Sequence, residues 1–387
     1  MLLFSFIPTT LWRHAGRMLC VLGAVCALGA SAQPSAEADT DTLHHHRQIG
    51  QKVKRTGSLV YRFMKGFNDF DTTYIAPNRY NYTFMGQSTS YYQLYKLEGR
   101  SADGNTQSIS TKAAPSMKIG PYFGWRWIFL GYTFDVTHPH SGVKSQEFNL
   151  SLYSAMLGCD LLVNKNSGEF RLRKAQGFEG VSPSAVKGMK FKGLDVKTVS
   201  FSAYYVKNHR HFSYPATYNQ STEQLRSCGS LLVGGGFSKQ HVKFNYTALP
   251  ALLLGTEEKP LLIDELKMSD LYYKYYYISA GYGYNWVIVP HLLLGGSVMP
   301  TIGLRKMRGE RIKTQEVLSD LVNLSLDCTM RAGLVYNDGR WFAGLSYIGH
   351  LLMYRKHSFA FTNSINYCNL YAGFYFGLKK AYRRPKR

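Results

Sequence analysis

Histidine is the first residue whose spacing suggests chemistry. His44, His45 and His46 are consecutive imidazoles that could capture a metal ion, but they sit in a small, polar segment that fixes no geometry. His138 and His140 flank Pro139 at an expected strand end, where they read as turn residues. His209 and His211 would share one face of an extended segment. With Arg210 between them they form a candidate loop site that offers two nitrogen ligands and no third. Asn208, His209 and Ser213 are near neighbours, as a nucleophile and its base could be, yet no Gly-x-Ser-x-Gly elbow accompanies them. Gly234-Gly235-Gly236 and Gly281-Tyr282-Gly283 lie inside strand patterns with no helix start behind them. They therefore ease wall curvature or make room for tyrosines rather than cradle a phosphate. The expectation is no cofactor, no metal centre, no catalytic residue and no enzymatic activity.

The elements that would position these groups are strands. Hydrophobicity alternates with period two over long stretches. From Asn323 to Tyr336, Leu324, Leu326, Cys328, Met330, Ala332, Leu334 and Tyr336 form one face, and Asn323, Ser325, Asp327, Thr329 and Arg331 lie on the other. Ile278, Ala280, Tyr282, Tyr284, Trp286 and Ile288 form an outward set, and Cys368, Leu370, Ala372, Phe374, Phe376 and Leu378 another. About twelve such segments occur, near 80–87, 117–124, 127–137, 147–158, 168–173, 196–206, 229–240, 272–289, 291–304, 323–336, 341–354 and 364–378. Asn337-Asp338-Gly339 carries tight-hairpin chemistry, and Pro290 separates two long strands. Residues 174–195, 208–228, 248–270 and 305–322 read as loops.

Aromatic residues concentrate at strand ends on the apolar faces, while the opposite faces are Gly, Ser, Thr, Asn and Tyr. Many strands exceed the roughly 9–11 residues of a tilted crossing. The expected fold is all-β: a closed antiparallel transmembrane β-barrel of about twelve strands, within a range of 10–14. A soluble secreted β protein is the alternative. Candidate lumen polar residues are Asp135, Asn323, Asp327, Arg331 and Asn369. They either fill a narrow interior with mutual hydrogen bonds or line a solute path.

Composition excludes several classes. Of 387 residues, 45% are hydrophobic, 14% aromatic and 18% charged, too apolar for disorder. Beyond the N-terminus no run approaches the ~20 apolar residues of a spanning helix. Residues 1–32 read as a signal peptide: Arg13 and Arg17 flank an apolar run from Met18 to Gly29, and Ala30-Ser31-Ala32 precedes the cut. Residues 33–66 read as an arm, polar and then amphipathic helical, followed by the barrel at 67–378 and a basic tail at 379–387. Without the leader the chain keeps 44 basic and 24 acidic residues, a net +20. The bases are scattered and no nucleic-acid motif accompanies them, so nucleic acid is excluded as a partner. Lys379, Lys380, Arg383, Arg384, Lys386 and Arg387 form a cluster that either is simply solvated or meets anionic head groups. The expected partners are outer-membrane lipid and lipopolysaccharide. The mature chain keeps Cys159, Cys228, Cys328 and Cys368 without a Cys-x-x-Cys spacing, and at most one bridge is expected.

The strings FNDFDTTYIAPNRYNYTF (Phe67–Phe84), IGPYFGWRWIFLGYTFDV (Ile119–Val136), NHRHFSYPATYNQSTEQLRSCGS (Asn208–Ser230) and GRWFAGLSYIG (Gly339–Gly349) resemble an uncharacterised domain-of-unknown-function family of exported Gram-negative envelope proteins. The resemblance spans about Phe67 to Leu378. It implies an outer-membrane β-barrel-like protein and supplies no substrate, cofactor or catalytic residue. One departure is the basic tail after Phe376, where many outer-membrane barrels end on an aromatic residue. Function is thus expected to be structural, binding or narrow-pore in the outer membrane. The alternatives are a lipid-acting hydrolase, marked by a hydrogen-bonded Ser213–His209 pair, and a soluble secreted binding protein.

Overall fold

In the computed structural model, residues 69–125, 128–137, 144–167, 170–311, 321–356 and 358–383 are described. The leader, the 33–66 arm, His44–His46, His138, His140 and the last four residues of the tail lie outside them. The strands are β1 (Ile75–Pro77), β2 (Tyr80–Arg100), β3 (Thr106–Ala113), β4 (Ser116–Trp125), β5 (Ile128–Gly131) and β6 (Phe134–Asp135). Next come β7 (Lys144–Tyr153), β8 (Leu157–Ser167), β9 (Phe170–Gln176), β10 (Lys190–Phe191), β11 (Leu194–Val206) and β12 (Thr222–Gln224). The last six are β13 (Cys228–Phe244), β14 (Met268–Val289), β15 (Leu292–Arg311), β16 (Leu321–Asn337), β17 (Trp341–Lys356) and β18 (Phe359–Leu378). Two short helices interrupt them, α1 (Tyr214–Tyr218) and α2 (Ala251–Leu254). No helix among the described residues is long and apolar enough to cross a membrane.

Every pairing is antiparallel. One 16-stranded sheet runs β10-β9-β3-β2-β18-β17-β16-β15-β14-β13-β11-β8-β7, with β4 pairing β2, β5 and β6. This path is not closed by a main-chain ladder, and its segments outnumber the twelve expected. The excess arises because long strands break locally. Two residues separate β3 from β4, β5 from β6, β8 from β9 and β10 from β11. At the β8–β9 break the strand changes neighbours: β8 pairs β7 and β11, and β9 pairs β3 and β10. The sheet curls until β8 meets β2 through side chains. Asn164 Nδ2 donates to Tyr91 OH at 3.0 Å, and Asn166 Nδ2 to Gln93 Oε1 at 3.4 Å.

Alternation sets the two faces. On β14, Tyr276, Ile278, Tyr282, Tyr284 and Trp286 stand exposed, Ile278 at 68%, while Tyr273 and Tyr275 are buried. Leu326, Leu334 and Tyr336 on β16 and Leu370 and Phe376 on β18 are likewise exposed outward. At the end with the tightest turns the outer face carries a belt of rings. Tyr82 lies 5.4 Å from Phe376, and Phe374 lies 5.8 Å from Phe84 and 5.3 Å from Trp341. One of those turns joins β16 to β17, with Gly339 at φ +84°, a conformation that favours glycine. Asp338 accepts from the N–H groups of Arg340 and Trp341 there.

The interior has two apolar fillings. Toward the long-loop end, Tyr95, Leu97, Ile109, Phe170, Phe191, Leu194, Phe244, Leu253 and Phe361 form one cluster with side chains of the 177–189 and 245–267 connections. At the turn end the 207–227 connection, expected as a surface loop, folds inward and carries α1. Phe212 and Tyr214 pack there against Tyr153, Tyr204, Leu232 and Met299. Gly295 and Gly333 make room for α1: a Cβ on Gly295 would lie 2.3 Å from Thr217 Oγ1, and one on Gly333 2.7 Å from Thr217 Cγ2.

Candidate functional site

Between these two fillings lies a polar chamber of about 80 Å³, room for several waters. Serines and threonines of β11, β13, β14 and β15 line one side, among them Ser200, Ser202, Ser238, Ser279 and Thr301. The chamber holds or adjoins two buried ion pairs. Arg331 Nη2 on β16 donates to Asp160 Oδ2 on β8 at 2.5 Å, and its Nη1 donates to the hydroxyls of Tyr204 and Tyr214 at 3.0 Å each. Its guanidinium stands 5.4 Å from the Tyr204 ring centre, which adds a cation–π contact. Arg305 Nη2 on β15 donates to Asp327 Oδ2 at 2.8 Å and sits 4.4 Å over the Tyr275 ring. Asp327 Oδ1 accepts from the Met353 N–H at 2.8 Å, and Ser325 Oγ donates to the Met353 carbonyl at 2.5 Å. These bonds fall where the β16–β17 ladder stops, at Asp327 opposite Leu352, so side chains satisfy backbone groups the ladder leaves. His350 Nδ1 meets Thr329 Oγ1 at 3.2 Å.

Of the sequence candidates, Asp327 and Arg331 meet this chamber. Asn369 lies elsewhere on the inner face. It accepts from Thr89 Oγ1 at 2.9 Å and Gln87 Nε2 at 3.3 Å, and donates to Ser346 Oγ at 3.2 Å. Asp135 sits on β6 opposite Lys118 in register and accepts from the Thr137 N–H at 2.9 Å. Asn323 pairs in register with Arg305 through the backbone.

The 209–211 residues are not on an extended segment, so His209 and His211 do not share the strand face expected of them. A turn holds them: the Phe212 N–H donates to the Asn208 carbonyl at 2.8 Å. His209 Nδ1 meets the Val206 carbonyl at 3.3 Å, and His211 Nδ1 meets Asn208 Oδ1 at 3.1 Å. The turn anchors the N-terminal segment instead. Arg210 lies 3.5 Å from Asp69 and His211 3.5 Å from Asp71, while the Asp71 N–H donates to the Arg210 carbonyl at 2.8 Å. Asp71 is held below the ordinary carboxylate range, first by the Thr73 backbone N–H. Strand β1 then pairs with β12 and continues the strap. Ser213 does not pair with His209. Its Oγ caps α1 by accepting from the Ala216 N–H, and it bonds Thr222 Oγ1 at 2.6 Å.

Among the described residues, no three His, Cys, Asp or Glu side chains cluster as a metal site would require. Cys159, Cys228, Cys328 and Cys368 are free. Lys379 Nζ donates to the Asn78 carbonyl at 2.7 Å, and Arg383 Nε to the Leu378 carbonyl at 3.0 Å, so the start of the basic tail folds back on the turn end.

Sequence reading missed Asp160, Arg305 and His350. Asp160 is a charge at an inward position between the outward Cys159 and Leu161, which is the signal that could have found it. Arg305 was placed in a loop, but β15 continues to Arg311.

With this geometry in place, the family can be stated. Residues 69–376 match the model described as Domain of unknown function (DUF4421). The chain belongs to that family. No curated protein matches it. Among solved structures, the outer membrane protease OmpT from Escherichia coli is similar at 8% identity and a TM-score of 0.35, over 78% of this chain and 98% of that one. The translocator domain of the autotransporter NalP from Neisseria meningitidis is similar at 8% identity and a TM-score of 0.28, over 87% and 97%. OprG from Pseudomonas aeruginosa gives 8%, 0.22, 78% and 98%.

Proposed function

We propose that this DUF4421 protein is a closed outer-membrane β-barrel with a filled lumen, serving the envelope as a scaffold or binding component rather than as an open pore. The exposed apolar rows carry this reading. Large aliphatic and aromatic side chains stand outward on adjacent strands, while ion pairs, serines and tyrosines face inward. Water would tolerate that outer surface poorly, and hydrocarbon suits it. From Tyr276 to Trp286, ten steps of about 3.4 Å and a tilt of about 40° cover roughly 26 Å, near the height of a barrel's apolar band.

Joining the pairs β3/β4, β5/β6, β8/β9 and β10/β11 into single staves supports a ring of twelve. In the long-loop half, the proposed ring passes β2, β3, β9 and β10, and β10 leads within two residues into β11 and so on to β18. In the turn half, the proposed ring places β5/β6, which pairs β4, and β7, which pairs β8, between β4 and β8. With the tight turns on the periplasmic side, the strap and α1 close the periplasmic mouth. The apolar cluster closes the outer one. Export by the N-terminal leader and contact with lipid and lipopolysaccharide complete the proposal.

Single-channel recording in planar bilayers tests the filled lumen. The protein is expected to insert without resolved conductance steps, and replacing residues 212–220 by a Gly-Ser linker should produce them. Steady conductance from the unaltered chain would overturn the filled-lumen reading.

A further inference from the structure

The outer face carries a second feature, independent of the lumen. On five adjacent staves the outward positions stay uncharged through the apolar band and then reach a lysine toward the long-loop end. On β8 the outward series is Cys159, Leu161, Val163 and then Lys165. On β11 it is Phe201, Val199 and then Lys197. On β13, Val233, Gly235 and Phe237 precede Lys239. On β14, Tyr282, Ala280, Ile278 and Tyr276 precede Lys274, and on β15, Val298, Pro300, Ile302 and Leu304 precede Lys306.

Register makes this a row. Lys165 is directly opposite Lys197, Lys239 opposite Lys274, and Lys274 opposite Lys306. Lys197 and Lys239 are diagonal neighbours, because Lys197 pairs His241 and Val199 pairs Lys239. Like charges directly opposite on one face destabilise a sheet. Among the described residues no ion pair relieves Lys165, Lys197, Lys239 or Lys274. Asp270, four residues before Lys274 on β14, is bound by His241 at 2.9 Å.

A repulsive row at the upper edge of an apolar band fits anions held at a lipid–water boundary. We propose that Lys165, Lys197, Lys239 and Lys274 form a docking row for the net-anionic, phosphate-bearing head groups of the lipid leaflet at the long-loop end. Directly paired lysines on strands about 4.8 Å apart would bind phosphate oxygens by charge-assisted hydrogen bonds, while their aliphatic stems stay over the apolar band. This rests on the membrane-barrel reading and adds which lipid chemistry meets which residues.

The test uses the mature full-length chain in neutral detergent micelles, titrated with lipopolysaccharide, phosphatidylglycerol or phosphatidylcholine. Lipid retained per protein is counted after gel filtration. The unaltered protein is expected to retain both phosphate-bearing anionic lipids at least tenfold over zwitterionic phosphatidylcholine. The triple variant Lys197→Gln, Lys239→Gln, Lys274→Gln should lose most of that preference. A control variant with Lys187→Gln, Lys192→Gln and Lys207→Gln should keep it. Equal retention of anionic and zwitterionic lipid by the unaltered chain, or an unchanged preference in the triple variant, would overturn the row. Insertion into pure phosphatidylcholine vesicles is scored separately. If the chain inserts there and shows no anionic preference, the row fails and the barrel stands. If it does not insert at all, the membrane reading fails and takes the row with it.

Discussion

Arg331 on β16 and Asp160 on β8 join at 2.5 Å across the interior, although β15, β14, β13 and β11 separate them in the sheet. Such a contact requires the sheet to curl through a large arc, so the pair reports the curvature as well as the local electrostatics. Arg331 is buried and Asp160 nearly so, at 4% and 14% exposure. Removing one partner leaves a buried charge alone. Asp160→Asn or Arg331→Met should each lower stability by about 3–5 kcal/mol, and the double variant should cost less than their sum. Urea unfolding in micelles measures this. Additive losses would mean the pair does not act as a unit.

A bulky side chain at Gly295 should expel α1, because even a Cβ there would strike Thr217. Gly295→Leu is expected to cost about 1–3 kcal/mol and to give conductance steps where the unaltered protein gives none. Planar bilayer recording of this variant checks whether α1 is what fills that end of the lumen.

Acidity should loosen the N-terminal strap. The carboxyl of Asp71 is held below its ordinary value of 3.8, first by the Thr73 N–H and also by His211. A depressed folded value means the contribution is complete above 3.8 and disappears as pH falls below it. Hydrogen exchange at the Tyr74 and Ile75 amides, whose N–H groups donate to the Asp71 carbonyl, should quicken below about pH 4 relative to the β14 amides. Parallel changes in both regions would contradict a local effect.

The outer faces of β14, β16 and β18 were legible in the sequence because exposed and inward residues there follow a period of two. The strand breaks were not legible. Between β8 and β9 the chain changes neighbours within two residues, which leaves little mark on composition. The place of 207–227 was also hidden. Its Ser213, Pro215, Asn219 and Gln220 look like surface-loop residues, yet inside the sheet Gln220 donates to Tyr371 OH at 2.7 Å and Thr217 to Asn285 at 2.9 Å. Asp327 and Arg331 stood out as charges within an alternating strand. Their pairing with Asp160 and Arg305 was not legible, because cross-strand pairing is a property of register rather than of local sequence.

The hairpin at Gly339 offers a local check on register. Gly339→Val places a β-branched residue at φ +84° and should cost about 1–3 kcal/mol in unfolding experiments, with the outward set of β16 unchanged. A neutral effect would mean that the turn is not held in this conformation.

The lipid-facing assignment of the exposed rows is tested most directly by nitroxide scanning of positions 276–286 in liposomes, with the native cysteines replaced by serine. Oxygen, which partitions into hydrocarbon, should collide strongly with labels at 276, 278, 280, 282, 284 and 286 and weakly with those at 277, 279, 281, 283 and 285. A water-soluble nickel chelate should reach neither set in mid-band. Strong chelate collisions at the even positions, or a chain that stays in the supernatant, would contradict the account.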